Sequence, residues 1–152
     1  MFGNNKNIFI SICGAAIISA LLIRVFTPTR NRVISLNEKP IEVEVASTYT
    51  ARQKGLKDRE SLPDGKGMMF VFSVSGQHGI WMKNMRFPID VIWLKDGVIV
   101  DMAKNIQPPT QRTANEELDI YYPRMPANSI IEMSASTLDK AGVKIGDRIK
   151  GI

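Results

Sequence analysis

The sequence is poor in the side chains that carry covalent and metal chemistry. It holds one cysteine and one histidine in 152 residues. Cys13 lies in an apolar stretch near the start, so the rest of the chain has neither a disulfide nor a thiolate nucleophile. A cysteine-free domain is compatible with any redox compartment. With His78 as the sole imidazole, a Ser-His-Asp arrangement has few ways to assemble, and Ser134 and Ser136 read as helix caps. A phosphate-binding glycine loop is lacking. Glu116, Glu117 and Asp119 have no EF-hand spacing and read as a solvated acidic face. No cofactor is expected, no internal repeat is present, and nothing names a reaction.

Runs of adjacent basic residues are also missing. The net charge is +5. Residues 1–26 supply +2 of it through Lys6 and Arg24, with no acid. The remaining 18 basic and 15 acidic residues are dispersed, which speaks against a nucleic-acid partner.

What is present first is a long apolar run. Residues 8–23, IFISICGAAIISALLI, are wholly apolar or small. As a helix they would span roughly 24 Å, and roughly 28 Å with Arg24 snorkelling and Val25 and Phe26 added. Ile18-Ser19-Ala20 and Val25-Phe26-Thr27 both place a large residue where a cleavage site needs a small one. Residues 1–26 are therefore expected to form an uncleaved single-pass anchor, with the membrane as partner through residues 8–26. Arg24, Arg30 and Arg32 after the run would favour a cytoplasmic domain, whereas an N-terminal anchor on a small domain more often exports it. The expectation is an extracytoplasmic domain.

Residues 27–39 read as a tether with a possible first strand, RVISL (32–36), turning at Asn37-Glu38-Lys39. A domain over 40–152 follows. PIEVEVA (40–46) alternates Ile41, Val43 and Val45 with Glu42 and Glu44, one dry face and one wet. Thr50-Ala51-Arg52-Gln53 predicts a capping box, with Gly55 as the stop. GMMFVF (67–72), GIWMK (79–83) and PIDVIWLK (88–95) read as strands, and Asp96-Gly97 as a hairpin turn into VIVDMAKNI (98–106). Residues 107–119 read as loop, with strands again near Ile120–Tyr122 and Ile130–Met133. Ser136-Thr137-Leu138-Asp139 predicts a second capped helix ended by Gly142, before VKIGDRIKG (143–151). Short strands with close turns and two short helices indicate an all-β sandwich or small barrel.

GLKDRESLPDGKGMMFVF (55–72), IWMKNMRFPIDVIW (80–93) and IEMSASTLDKAGVKIGDRI (131–149) resemble the family called domain of unknown function 192, DUF192, over about residues 40–150. The resemblance implies a compact β-sandwich, jelly-roll-like, often behind an export signal, and it implies no reaction. Lys57 stands where the family usually has methionine after Gly-Leu. The loop at 107–127 lacks the cysteines some members carry.

Three readings of chemistry compete. The first is a binding or accessory module that uses the 83–87 turn and the 107–127 loop, with Trp81, Asn84, Arg86, Tyr121 and Tyr122 as contact residues. The second is an enzyme on a small polar or carbohydrate-like substrate, using Asp90 with Lys83 or Arg59. Asp90 shares a strand face with Ile92 and Leu94, so its carboxyl needs a partner or a proton. Its structural alternative is an acceptor for backbone amides, or an Arg59 fork pinning residues 57–66. The third is a soft-metal site for copper through His78, Met82 and Met85, with Met68 as a further thioether. His78 and Met82 would lie about 13 Å apart along a strand, too far to share one ion, and Met in apolar runs is usually core.

Overall fold

The structure, a computed structural model, describes residues 30–109 and 118–152. The apolar N-terminal run and most of the polar loop lie outside the described residues. Among those described, no helix is long and apolar enough to cross a membrane.

The chain is mostly β, with β1 (Arg30–Leu36), β2 (Lys39–Ala46), α1 (Tyr49–Lys54), β3 (Lys66–Gly76), β4 (Ile80–Trp81), β5 (Ile89–Lys95), β6 (Val98–Ile106), β7 (Ile120–Tyr121), β8 (Ala127–Ser134) and α2 (Thr137–Ala141). Six strands form one mixed sheet in the order β1-β2-β3-β8-β5-β6, and β4 and β7 form a separate two-stranded ribbon. Only β2 and β3 run parallel in the large sheet, because α1 carries the chain across between them. Two-residue turns close β1–β2 and β5–β6. Asn37 and Glu38 (φ 46° and 68°) and Asp96 and Gly97 (φ 50° and 79°) adopt the left-handed conformation such hairpins need.

Both faces of the six-stranded sheet are covered. On the first, Ile34, Leu36, Val43, Met69, Ile92, Leu94, Ile131 and Met133 pack under Leu138 of α2 and under Val143 and Ile149 of the closing segment. On the second, Met68, Phe70, Val91, Trp93 and Ile130 pack under Leu56, Leu62, Ile80, Met82 and Met85. The central strands therefore bury residues on both sides: Ile89 to Leu94 of β5 are buried without interruption. One-sided alternation survives only toward the β1–β2 edge, where Ile41 and Val43 are buried and Glu42 and Glu44 are not.

Several local expectations move. Thr48, not Thr50, caps α1, its Oγ1 accepting from the Ala51 amide at 3.1 Å. Ser136 makes no side-chain cap on α2. GIWMK is a strand only at Ile80–Trp81, and the chain then turns, with the Met85 amide bonded to the Met82 carbonyl at 3.2 Å. The closing segment docks by isolated bridges, Lys150 with Ser35 and Arg148 with Val98.

Candidate functional site

Asp90 and Glu132 sit one register step apart on neighbouring strands, Asp90 opposite Met133 and Glu132 opposite Val91. Strand alternation sends them to opposite faces of the sheet. Asp90 is fully buried on the first face. Its Oδ1 accepts from the Asn105 amide at 2.8 Å and its Oδ2 from the Leu138 amide at 2.9 Å. The second bond supplies the α2 cap that Ser136 does not. Asp90 thus ties β6 and α2 to the sheet, and its partners are backbone amides rather than a cation.

Arg59 makes its fork elsewhere: Nη1 and Nη2 donate to the two carboxylate oxygens of Glu44 at 2.5 and 2.8 Å. The Arg59 hydrogen bonds hold the Glu44 carboxyl below the usual range against the opposing effect of burial. Lys83 lies on the second face, its Nζ 5.5 Å from the centre of the Trp81 ring. Asp90 is therefore separated from Lys83 and Arg59 by the sheet, and the three do not converge.

The second face carries a cleft of about 410 Å³. α1 and residues 55–57 form one wall, and Gly79 to Trp81 with Ile120 and Tyr122 form the other. Phe70, Ile130 and Glu132 lie along its floor. Gly79 is required here, because a Cβ would come within 2.6 Å of Ile120 and 2.8 Å of Tyr122. A second cleft of about 400 Å³, between Arg30, Arg32, Thr48 and Ile152, has no buried ionisable side chain in its described lining.

Glu132 distinguishes the first cleft. Only 7% of it is exposed. Its register row runs through Met68 and Val91, both apolar and buried. Burial alone pushes its carboxyl up to about 8, and no donor or cation among the described residues opposes that shift. No side-chain polar atom sealed from the surface lacks a partner among the described residues. What remains accessible of Glu132 therefore faces the cleft.

Lys57 lines the cleft and its Nζ donates to the Gln53 carbonyl at 2.8 Å. Lys57 Nζ stands 4.9 Å from the Trp81 ring centre, on the same indole that Lys83 approaches. Burial, and then the charge of Lys83, lower the Lys57 pKa, outweighing the pull of Asp58. Arg52 is committed to structure, bonding the Ser47 and Val71 carbonyls at 2.6 and 3.0 Å and covering Phe72.

The other expected contact residues divide. Trp81 and Tyr122 line the cleft, and Tyr121 packs beneath it. Asn84 (φ 56°) turns the chain and accepts from the Asp58 amide through its carbonyl. Arg86 pairs with Glu60 at 2.7 Å. His78 stacks on Phe72 with ring centres 3.7 Å apart and places Nε2 2.9 Å from the Val74 carbonyl. Met68, Met82 and Met85 are core residues. No group of three His, Cys, Asp or Glu side chains gathers among the described residues.

The DUF192 family model, described as "Uncharacterized ACR", matches residues 32–151. A crystal structure of a candidate transcription regulator from Sinorhizobium meliloti 1021 is similar, with 29% identity over 80% of this chain and 91% of that one and a TM-score of 0.67. A protein of unknown function from Novosphingobium aromaticivorans DSM 12444 shares the fold, with a TM-score of 0.67 at 24% identity over 79% of this chain and 82% of that one. No curated protein matches the chain.

Proposed function

The chain belongs to the DUF192 family, and within it we propose a small-ligand-binding module, a β-sandwich-like domain held at the membrane by residues 8–26 and displayed outside the cytoplasm. The ligand site is the cleft between α1 and the β4–β7 ribbon. One observation carries this reading: Glu132 is buried on an apolar floor, lines that cleft and has no compensating partner among the described residues. An unpaired buried carboxyl costs several kcal/mol if charged, or must hold a proton. A fold that needed only packing would be more stable with an apolar side chain there.

The test is ligand-observed NMR of the full chain in phosphatidylcholine nanodiscs against a charge-balanced fragment set. Fragments that bind the natural chain and are lost in Glu132→Leu support the site. An absence of binders, or binders indifferent to that change, sinks it. Reporter fusions after residue 152, alkaline phosphatase against a green fluorescent protein, test the displayed orientation.

An enzymatic reading is favoured by the same residue. A carboxyl that keeps its proton near neutral pH is suited to general acid catalysis on a small polar or carbohydrate-like substrate. On this reading the acid is Glu132 in the cleft rather than Asp90. Turnover lost in Glu132→Gln while ligand binding persists would establish it.

A further inference from the structure

We propose that the ligand of this cleft is an anion-bearing small molecule with an apolar body, a carboxylate or phosphate monoester, whose charged group is held by Lys57 and Lys83. Its body lies along Trp81 and Phe70, and a neutral oxygen at its inner end accepts from the Glu132 carboxyl. The inference rests on the cleft being a ligand site and adds the class of ligand.

Lys57 and Lys83 bring like charges to one indole ring, 4.9 and 5.5 Å from its centre. Seven ion pairs form among the described residues, and neither lysine takes part in any of them. Among the described residues the one carboxylate acting on Lys57 is Asp58, and it acts more weakly than Lys83 does. Two cations near one ring, with no ion-pair partner among the described residues, raise one another's free energy, and an anion within reach of both relieves that repulsion. Trp81 joins this pair to the cleft, since it forms part of the wall.

The floor sets the opposite requirement. An anionic ligand group placed deep in the cleft would meet Glu132 in an apolar setting, where an ionised Glu132 would repel it and a protonated one would offer one hydrogen bond and no countercharge. A hydroxyl or carbonyl oxygen is matched to a protonated carboxyl, which donates one hydrogen bond. The ligand is thus polarised along its length, with the charge outside and a neutral acceptor inside.

The probes are 3-(4-hydroxyphenyl)propionate, 2-(4-hydroxyphenyl)ethyl phosphate, and the amide and amine that replace the carboxylate. Binding to the full chain in nanodiscs is read from the Trp81 indole resonance. The carboxylate or the phosphate is expected to bind at least tenfold more tightly than the amide, and the amine more weakly still. The two anions against each other tell carboxylate from phosphate. Lys57→Met combined with Lys83→Met should bring anion and amide within twofold while the amide is unchanged. Lys57→Gln with Lys83→Gln replaces that pair should it fail to fold. Equal or tighter binding of the amide or amine overturns the inference and leaves the cleft as a ligand site. An anion preference that survives both lysine pairs also overturns it. Failure of every probe, whatever its charge, counts against the ligand site itself.

Discussion

The two faces of the central sheet treat a buried carboxyl in opposite ways. On the first face Asp90 receives two backbone amides at 2.8 and 2.9 Å and disappears into the core. On the second, one register step away, Glu132 is nearly as buried and receives no bond among the described residues. Burial alone therefore does not mark a functional acid. The distinction lies in what each carboxyl bonds: Asp90 accepts from two backbone amides of the architecture, and Glu132 keeps its O–H for the cleft.

The largest effect expected from breaking this contrast is at Asp90. Asp90→Ala orphans the amides of Asn105 and Leu138 and removes the α2 cap, a loss of about 4 kcal/mol in urea unfolding. A loss below about 1 kcal/mol would show that Asp90 is not the tie described.

The next effect has the opposite sign. Because the folded value of Glu132 is raised from 4.5 to about 8, the native state keeps a proton that the unfolded chain releases above pH 4.5. The associated stability is fully present below 4.5 and is lost as pH rises through about 8, a change of several kcal/mol across that window. Glu132→Gln should flatten that slope and be the more stable protein at pH 9, as measured by unfolding at matched pH. Parallel wild-type and variant profiles would remove Glu132 as the odd carboxyl.

A smaller effect concerns the loop behind the cleft wall. Arg59→Ala unpins residues 57–60 from Glu44, and since about a third of each side chain is exposed, the loss is about 1 kcal/mol. Faster amide exchange at Leu56–Glu60 would report it, with no change around Asp90 if the faces are independent. The smallest is a gain away from both sites. Glu38→Gly relieves a left-handed conformation at φ 68° and should raise stability by about 0.5–1 kcal/mol in the same assay.

Much of this fold is legible in residue order. Asp96-Gly97 fixes its hairpin, and the alternation of Ile41, Glu42, Val43 and Glu44 fixes the face of β2, because turn conformation and one-sided burial are local. Thr48 displaced Thr50 as the α1 cap because the strand before it ends at Ala46 and leaves Thr48 extended (φ −90°, ψ 156°). Glu132 was hidden for a different reason. In Ile131-Glu132-Met133 it looks like the wet position of a half-buried strand, and it is dry only because α1 and the β4–β7 ribbon cover a second face. Asp90 drew attention because it interrupts an apolar run, yet the amides that satisfy it come from residues 15 and 48 positions away. Pairing of that range has no local signature.

The most direct test is a carbon-13 NMR titration of the glutamate side-chain carboxyls, with Glu132 assigned by its loss in Glu132→Gln. One carboxyl should titrate with a midpoint near 8 and be absent from the variant. A Glu132 that titrates with the surface glutamates would mean that its charge is already compensated, and the cleft would lose the acid on which its assignment depends.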